Sequence, residues 1–155
     1  MREHEAALQR LQAHYDAMPP VAALGLHVAG YDGVRLTLGA PLSLHVNDKG
    51  CAFGGSLGSL LTLAAWGLLH VGLEDAGIDA DIYVADSTLR FLAPLFDDLR
   101  AEATLAPGSD WDTFIGTLRS RGRARIEVVA QVPLPSDGVA TTFSARYVAI
   151  LRRGD

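Results

Sequence analysis

The feature that most constrains this chain is a long apolar run that contains no Asp, Glu, Lys or Arg. It lies between Lys49 and Glu74 and reads GCAFGGSLGSLLTLAAWGLLHVGL. Such a run either spans a membrane or forms a helix that its own domain buries on nearly all sides. Its many glycines and its Ser, Thr and His residues make a poor bilayer segment. Because the rest of the chain is patterned as strands that need a core, we expect a buried central helix over residues 53–72.

One narrow stripe of this helix carries its small, polar and aromatic residues. At about 100° per residue, five positions fall on the same face. They are Gly55, Ser59, Thr62, Trp66 and His70. The unpaired N–H groups of the first turn, at Gly54 and Gly55, can bind a carbonyl or anionic oxygen. Residue type alone leaves a second interpretation open, in which the small residues only let the helix approach a neighbouring backbone.

Length and composition predict one domain over residues 1–155. The formal net charge of −5 argues against nucleic-acid and anionic-membrane partners. The one cysteine, Cys51, cannot form an intrachain disulfide, and the start of the sequence lacks the apolar core of a signal peptide. We therefore expect a cytoplasmic protein. Its five histidines show no metal-binding spacing, so we expect no metal.

The remaining segments predict an α+β protein. An amphipathic outer helix over residues 1–18 is stopped by Pro19 and Pro20. A short helix is expected to begin at Trp111. Alternating apolar residues predict six strands, over residues 24–30, 34–40, 82–92, 99–105, 123–132 and 139–151. This order favours an antiparallel sheet wrapped around one long helix, with free edges that a homo-oligomer can cover.

The third predicted strand, over residues 82–92, alternates in side-chain type, so the sequence predicts which of its residues share a face. Alternation places one set of side chains on a common face, namely Tyr83, Ala85, Leu89 and Phe91. The opposite face carries Asp86, Thr88 and Arg90.

The loop that opens the central helix resembles a known motif. The segment NDKGCAFGG, from Asn47 to Gly55, resembles the asparagine-loop and histidine-Gly-Gly signature of hotdog-fold thioesterases. The later segment FLAP, ending at Pro94, resembles the close of their second strand. Within that superfamily the chain is most similar to the thioesterase domain that some bacteria fuse behind an acetyltransferase domain. The similarity in element order runs from about Pro20 to Leu151, and only residues 47–55 are specific as a motif.

This resemblance implies a hotdog fold, in which a curved antiparallel sheet wraps a helix, and dimers or dimers of dimers with an acyl thioester site between subunits. No cofactor is implied beyond coenzyme A as part of the substrate. Asn47 matches the polar loop residue near the thioester. Gly55 matches the glycine whose N–H points at the thioester oxygen and stabilises the developing oxyanion. Phe53, Gly54 and Trp66 are expected to contact the substrate.

Two departures from the family pattern affect the chemistry. Phe53 stands where the family often has histidine, and Thr62 stands where a subgroup has its helix carboxylate. Asn47 fills the position of a loop carboxylate in another subgroup. An amide and a hydroxyl cannot accept a proton at neutral pH as a carboxylate does. The two usual places for the catalytic carboxylate therefore hold no acid.

A water can still be held by hydrogen bonds from Asn47, Ser59 and Thr62. Asp48 is the nearest carboxylate in sequence that can activate it, and Asp86 is a second candidate. Each has a structural alternative: an Asx turn for Asp48, a hydroxyl bonded back to the Gly58 carbonyl for Thr62, and an ion pair with an arginine for Asp86.

Four arginines at alternate positions suggest a site for phosphate groups. They are Arg119, Arg121, Arg123 and Arg125, and the last two are the candidates for binding the phosphates of coenzyme A or an acyl-carrier group. A helix end followed by a solvated strand face explains the same pattern.

These features together favour a thioesterase that hydrolyses an acyl thioester with an activated water. Three alternatives stay open. They are a non-catalytic acyl or acyl-CoA binding module, another thioester reaction such as dehydration, and a purely structural dimerisation module.

Overall fold

The structure, a computed structural model, describes residues 4–153. They form four α-helices, α1 Glu5–Asp16, α2 Pro19–Ala22, α3 Gly54–Asp75 and α4 Trp111–Arg121. They also form six strands, β1 His27–Tyr31, β2 Leu36–Ala40, β3 Ala80–Phe91, β4 Leu99–Leu105, β5 Arg123–Pro133 and β6 Val139–Leu151. The first three residues of the expected outer helix lie outside the described residues.

The six strands form one antiparallel sheet in the order β1-β2-β4-β5-β6-β3. One face of the sheet packs on α3, whose Leu60, Leu61, Leu68 and Leu69 are fully or almost fully buried. Along β5 every second residue from Ala124 onward is buried in the same core, as expected for a sheet with one face on a helix. This is the expected α+β hotdog architecture.

The apolar run is the core helix. The helix α3 is long and apolar enough to cross a membrane, yet 61% of its most apolar 18-residue stretch is buried inside the protein. The strands and α1 cover it. The helix extends to Asp75, three residues beyond the predicted end, because Glu74 and Asp75 continue its last turn.

The amphipathic helix α1 covers a side of α3 that the sheet leaves open. Leu11 and Tyr15 are completely buried there, and the Tyr15 hydroxyl donates a hydrogen bond to the Leu63 carbonyl at 2.7 Å. The two prolines end α1 as predicted, but they also begin α2, where Pro19 and Pro20 occupy the first positions. Proline suits the first turn because its missing N–H has no helical partner there.

The predicted faces of β3 are wrong for Tyr83. The register with β6 shifts between Val84 and Asp86, so Ala85 is the extra residue of a β-bulge. Tyr83 lies opposite Val148, whereas Leu89 lies opposite Phe143. Those two β6 residues differ by an odd number of positions, so they lie on opposite faces of the sheet. Tyr83 therefore lies on the face away from Leu89 and Phe91.

The short helix and the hairpin follow local rules. Asp110 caps α4 by accepting the Thr113 N–H at 2.8 Å, and that hydrogen bond lowers the pKa of the Asp110 carboxyl. Gly122 ends α4 with a φ of 75°, a conformation that other residues rarely adopt. In the β1–β2 hairpin the Asp32 carboxylate accepts two backbone N–H groups, from Val34 and Arg35.

Candidate functional site

An apolar groove of about 560 Å³ runs along the N-terminal half of α3. One wall comes from α2 and the turn after it, the floor is α3, and the other wall is the end of β3. The lining residues are Pro20, Val21, Leu24, Gly54, Gly55, Gly58, Ser59, Thr62, Leu63, Leu89 and Phe91. The groove therefore brings the predicted Gly54, Gly55, Ser59 and Thr62 together.

The first turn of α3 offers two unpaired N–H groups at one end of this groove. The Phe53 carbonyl accepts the N–H groups of Ser56 and Leu57, at 3.0 and 3.1 Å. Within residues 4–153, neither the Gly54 nor the Gly55 N–H has an acceptor, and no side chain caps the helix. Unpaired N–H groups at a helix start carry partial positive charge, so this end of the groove can bind a carbonyl oxygen.

Two phenylalanine rings flank the glycine pair and form the mouth of the groove. A Cβ at Gly55 would lie 2.6 Å from the Phe53 ring, and a Cβ at Gly54 would lie 3.4 Å from the Phe91 ring. Both residues are more than half exposed, at 56% for Phe53 and 57% for Phe91. The Phe53 ring thus lies against Gly55, beside the two N–H groups.

Two hydroxyl groups line the groove beyond the glycines. Ser59 is exposed, and the Thr62 hydroxyl donates to the Gly58 carbonyl at 2.8 Å. The structure therefore shows the hydrogen bond expected from the structural alternative for Thr62. Its oxygen keeps lone pairs that can accept a hydrogen bond from a water or a ligand.

Asn47 and Asp48 do not join this group. The Asn47 side-chain oxygen accepts the N–H groups of Lys49 and Cys51, at 2.8 and 3.2 Å, and its amide lies 3.3 Å from the Cys51 sulfur. Asp48 is 81% exposed and pairs with Lys49 at 3.0 Å. The Asx turn that we considered for Asp48 is therefore made by Asn47, since its side chain folds back on its own loop.

The groove itself carries no acid or base. None of its lining residues in the described chain has a titratable side chain. Asp86 forms an ion pair with Arg146 on β6, as in its structural alternative. Between residues 4 and 153, no set of three His, Cys, Asp or Glu side chains is placed to hold a metal ion.

Trp66 and His70 line a different cavity, of about 600 Å³, at the other end of α3. Trp66 stacks with His14 of α1 and with His70, at ring distances of 5.1 and 4.9 Å, and its indole N–H donates to the Ile82 carbonyl at 3.2 Å. Burial, and secondly the nearby His14, lower the pKa of His70. The predicted stripe thus divides between a groove and a helix interface, and Trp66 is not part of the groove.

Arg123 and Arg125 also lie away from the groove. Both are exposed on β5, and they alternate with Ala124 and Ile126, which are buried in the core around α3. The two arginines therefore lie on the sheet face opposite the central helix.

Sequence reasoning missed His45, which was considered only as a metal ligand. This residue is 6% exposed, and its ring nitrogens lie 2.8 Å from the Ser56 hydroxyl and 2.7 Å from the Leu24 carbonyl. Its position two residues before Asn47, inside the loop that opens the helix, is the only sequence signal that pointed to it.

A model of the YiiD_C family, described as "Putative thioesterase (yiiD_Cterm)", matches residues 8–151. The chain belongs to the YiiD_C family.

Solved structures similar to this YiiD_C chain have the same fold. A protein of unknown function from Chlorobaculum tepidum is 26% identical, with a TM-score of 0.87 and coverage of 94% of this chain and 95% of that one. A "putative thioesterase" from Shewanella oneidensis is 22% identical, with a TM-score of 0.85 and coverage of 94% and 99%. A "Probable Thioesterase" from Pseudomonas aeruginosa is 21% identical, with a TM-score of 0.78 and coverage of 93% and 95%.

Proposed function

We propose that this YiiD_C protein hydrolyses acyl thioesters in the α3 groove. The observation that carries the proposal is that Gly54 and Gly55, whose N–H groups have no acceptor in the described residues, line an apolar groove. Such a site binds the thioester oxygen at the helix start and the acyl chain along the apolar walls. The thioester carbonyl would then become more electrophilic, because both N–H groups stabilise negative charge on its oxygen.

The proposed reaction places a water over the carbonyl carbon. The Ser59 hydroxyl and the Thr62 oxygen would hold this water inside the groove. Its oxygen bonds to the carbonyl carbon, the C–S bond breaks, and a water proton ends on the departing thiolate. Each oxyanion donor of this kind contributes about 3 kcal/mol to lowering the barrier.

The acyl group would contact Leu24, Leu63 and Leu89, which line the groove between α2 and β3. The Phe53 and Phe91 rings would contact the thioester end. The thiol is coenzyme A or an acyl-carrier group; the arginines on the far sheet face give no support for a phosphate contact within one subunit.

We also propose a cytoplasmic location, which the one buried cysteine supports, since it has no intrachain disulfide partner.

A second candidate function is a non-catalytic acyl-thioester binding module. The groove lining in the described chain holds no titratable side chain, so no lining residue can accept the proton of the attacking water. A module of this kind would bind the thioester by the same N–H groups and leave it intact.

We propose that the protein acts as a homodimer or a dimer of dimers, paired through the free edge of β3. This strand has β6 as its single neighbour among the described residues, and most of it is exposed, including Tyr83 and Val84. A long exposed edge strand of this kind favours pairing with a second copy.

The assembly is tested by light scattering after size exclusion. We expect the wild type to have at least twice the subunit mass and Val84→Lys to be a monomer, because a lysine on an edge strand opposes strand pairing. A monomeric wild type would refute the proposal.

Hydrolysis is tested with short, medium and aromatic acyl-CoAs, followed both by thiol release and by mass spectrometry of all products. We expect turnover that falls about tenfold or more in a Ser59→Ala, Thr62→Val double variant, because the water loses both partners. Asn47→Ala tests whether the loop amide takes part, and Asp48→Asn is the matched surface control. Binding of acyl-CoA without any product would favour the binding module, and a product other than the free acid would assign a different thioester reaction.

A further inference from the structure

His45 connects three parts of the chain that meet around the groove. We propose that His45 is a positioning residue, which fixes the first turn of α3 so that the Gly54 and Gly55 N–H groups point into the groove. This inference rests on the proposed function. It assigns a role to a buried titratable side chain that takes no part in the steps described above.

All four hydrogen-bonding groups of His45 are used. Its backbone N–H donates to the Leu42 carbonyl at 2.8 Å, and its carbonyl accepts the Phe53 N–H at 2.7 Å. One ring nitrogen, Nε2, lies 2.7 Å from the Leu24 carbonyl, and the other, Nδ1, lies 2.8 Å from the Ser56 hydroxyl. The ring is buried, with 6% of the residue exposed, so water does not compete for these partners.

The chemistry of the partners determines the tautomer. A carbonyl oxygen can only accept, so Nε2 must carry the proton that is donated to Leu24. In a neutral imidazole Nδ1 is then an acceptor, and the Ser56 hydroxyl donates to it. In the neutral imidazole the Ser56 hydroxyl therefore donates to Nδ1, and the Nε2–H donates to the Leu24 carbonyl.

These bonds surround the glycine pair. Phe53 precedes Gly54 and Gly55, and Ser56 follows them, so His45 holds the chain on both sides of the two N–H donors. Leu24, whose carbonyl contacts the His45 ring, belongs to a wall of the groove. Since α3 has no side-chain cap in the described structure, the contacts with His45 hold the chain at the helix start and leave the Gly54 and Gly55 N–H groups without an acceptor.

The same pair has a second chemical interpretation, as a serine nucleophile with a histidine base. Ser56 is not among the residues that line the groove, whereas Gly54, Gly55 and Ser59 are. The geometry therefore favours positioning over covalent catalysis, and an acyl group found on Ser56 would overturn the proposal.

The test compares Ser56→Ala with Ser56→Thr, and His45→Asn with the exposed-surface control His27→Asn. Because a misplaced donor loses catalysis without losing the apolar contacts, we expect Ser56→Ala to lower kcat about tenfold or more while KM changes less than about twofold. Ser56→Thr keeps the hydroxyl and should restore kcat. His45→Asn keeps a polar group near Nδ1 but loses the link to Leu24, so its kcat should also fall, and His27→Asn should behave as the wild type.

Hydrogen exchange of the peptide that contains residues 53–57 gives a readout that needs no turnover. Faster exchange in Ser56→Ala and His45→Asn than in the wild type and the His27→Asn control supports the positioning role. If the wild type hydrolyses no thioester, the proposed hydrolysis fails, and exchange alone decides the role of His45. Unchanged kcat in an active protein, or unchanged exchange in an inactive one, would overturn the inference.

Discussion

Replacing Gly55 by alanine should separate the chemistry of the groove from the stability of the fold. The new Cβ would lie 2.6 Å from the Phe53 ring, so that ring must move. Phe53 is 56% exposed and its ring is the far end of a flexible side chain, so displacement of the ring is tolerated. A strained side-chain angle costs about 1 kcal/mol, and alanine gains up to about 1 kcal/mol over glycine in a helix.

These two effects nearly cancel, so we expect the melting temperature of Gly55→Ala to lie within about 4 °C of the wild type. Activity should respond very differently. The methyl group and the displaced ring obstruct the approach to the Gly55 N–H, and loss of one oxyanion donor costs about 3 kcal/mol, which is a kcat lowered by more than about 100-fold. The assay is steady-state thiol release from the best acyl-CoA, together with thermal unfolding.

The matched control is Gly116→Ala in α4. Gly116 is exposed and a Cβ there would meet nothing within 4 Å. This variant should gain about 1 kcal/mol of stability, as alanine does in a helix interior, with kcat unchanged. A Gly55→Ala protein with wild-type kcat would refute the assignment of its N–H as an oxyanion donor.

Three further predictions concern the core around α3. Gly67→Ala would drive a methyl into the Tyr15 hydroxyl, so overpacking should lower the stability by about 1–3 kcal/mol in thermal unfolding, despite the better helix propensity. Tyr147→Phe loses the 2.7 Å hydrogen bond to the Thr62 carbonyl and should cost about 1 kcal/mol in urea unfolding. Burial lowers the pKa of His70 from its ordinary 6.5, because it disfavours the charged imidazole. The contribution of the neutral side chain to the free energy of unfolding is therefore complete above that pH and is lost as the pH falls below it. The urea midpoint should therefore fall between about pH 7.5 and pH 5, and His70→Gln should fall less; an equal fall in both would contradict the assignment.

Local patterns predicted most of the fold. The strand β4 and the strand β6 lie at the predicted residues, because their alternation is regular and their ends are marked by proline, glycine or aspartate. The bulge at Ala85 was not predictable, since nothing in the sequence of β3 distinguishes a bulged residue from a paired one.

The candidate site was also predicted only in part. The spacing of Gly55, Ser59 and Thr62 predicted that they share a helix face, and the structure places them in one groove. The same spacing also predicted Trp66, which lies in another cavity, where its ring stacks with His14 of α1. A helical repeat determines which residues share a face, but it does not determine which neighbour covers each part of that face.

By itself, the sequence determined that a long apolar helix forms the core and that alternating strands wrap around it, because periodicity and the pattern of apolar residues are local properties of the chain. Only the tertiary structure decided the roles of Asn47 and His45. The Asn47 side chain accepts hydrogen bonds from the backbone of its own loop. The His45 ring instead lies between the Leu24 carbonyl and the Ser56 hydroxyl, which belong to segments far apart in sequence. The physical reason is that a buried polar side chain must find a partner, and which partners lie within hydrogen-bond distance depends on how those segments pack.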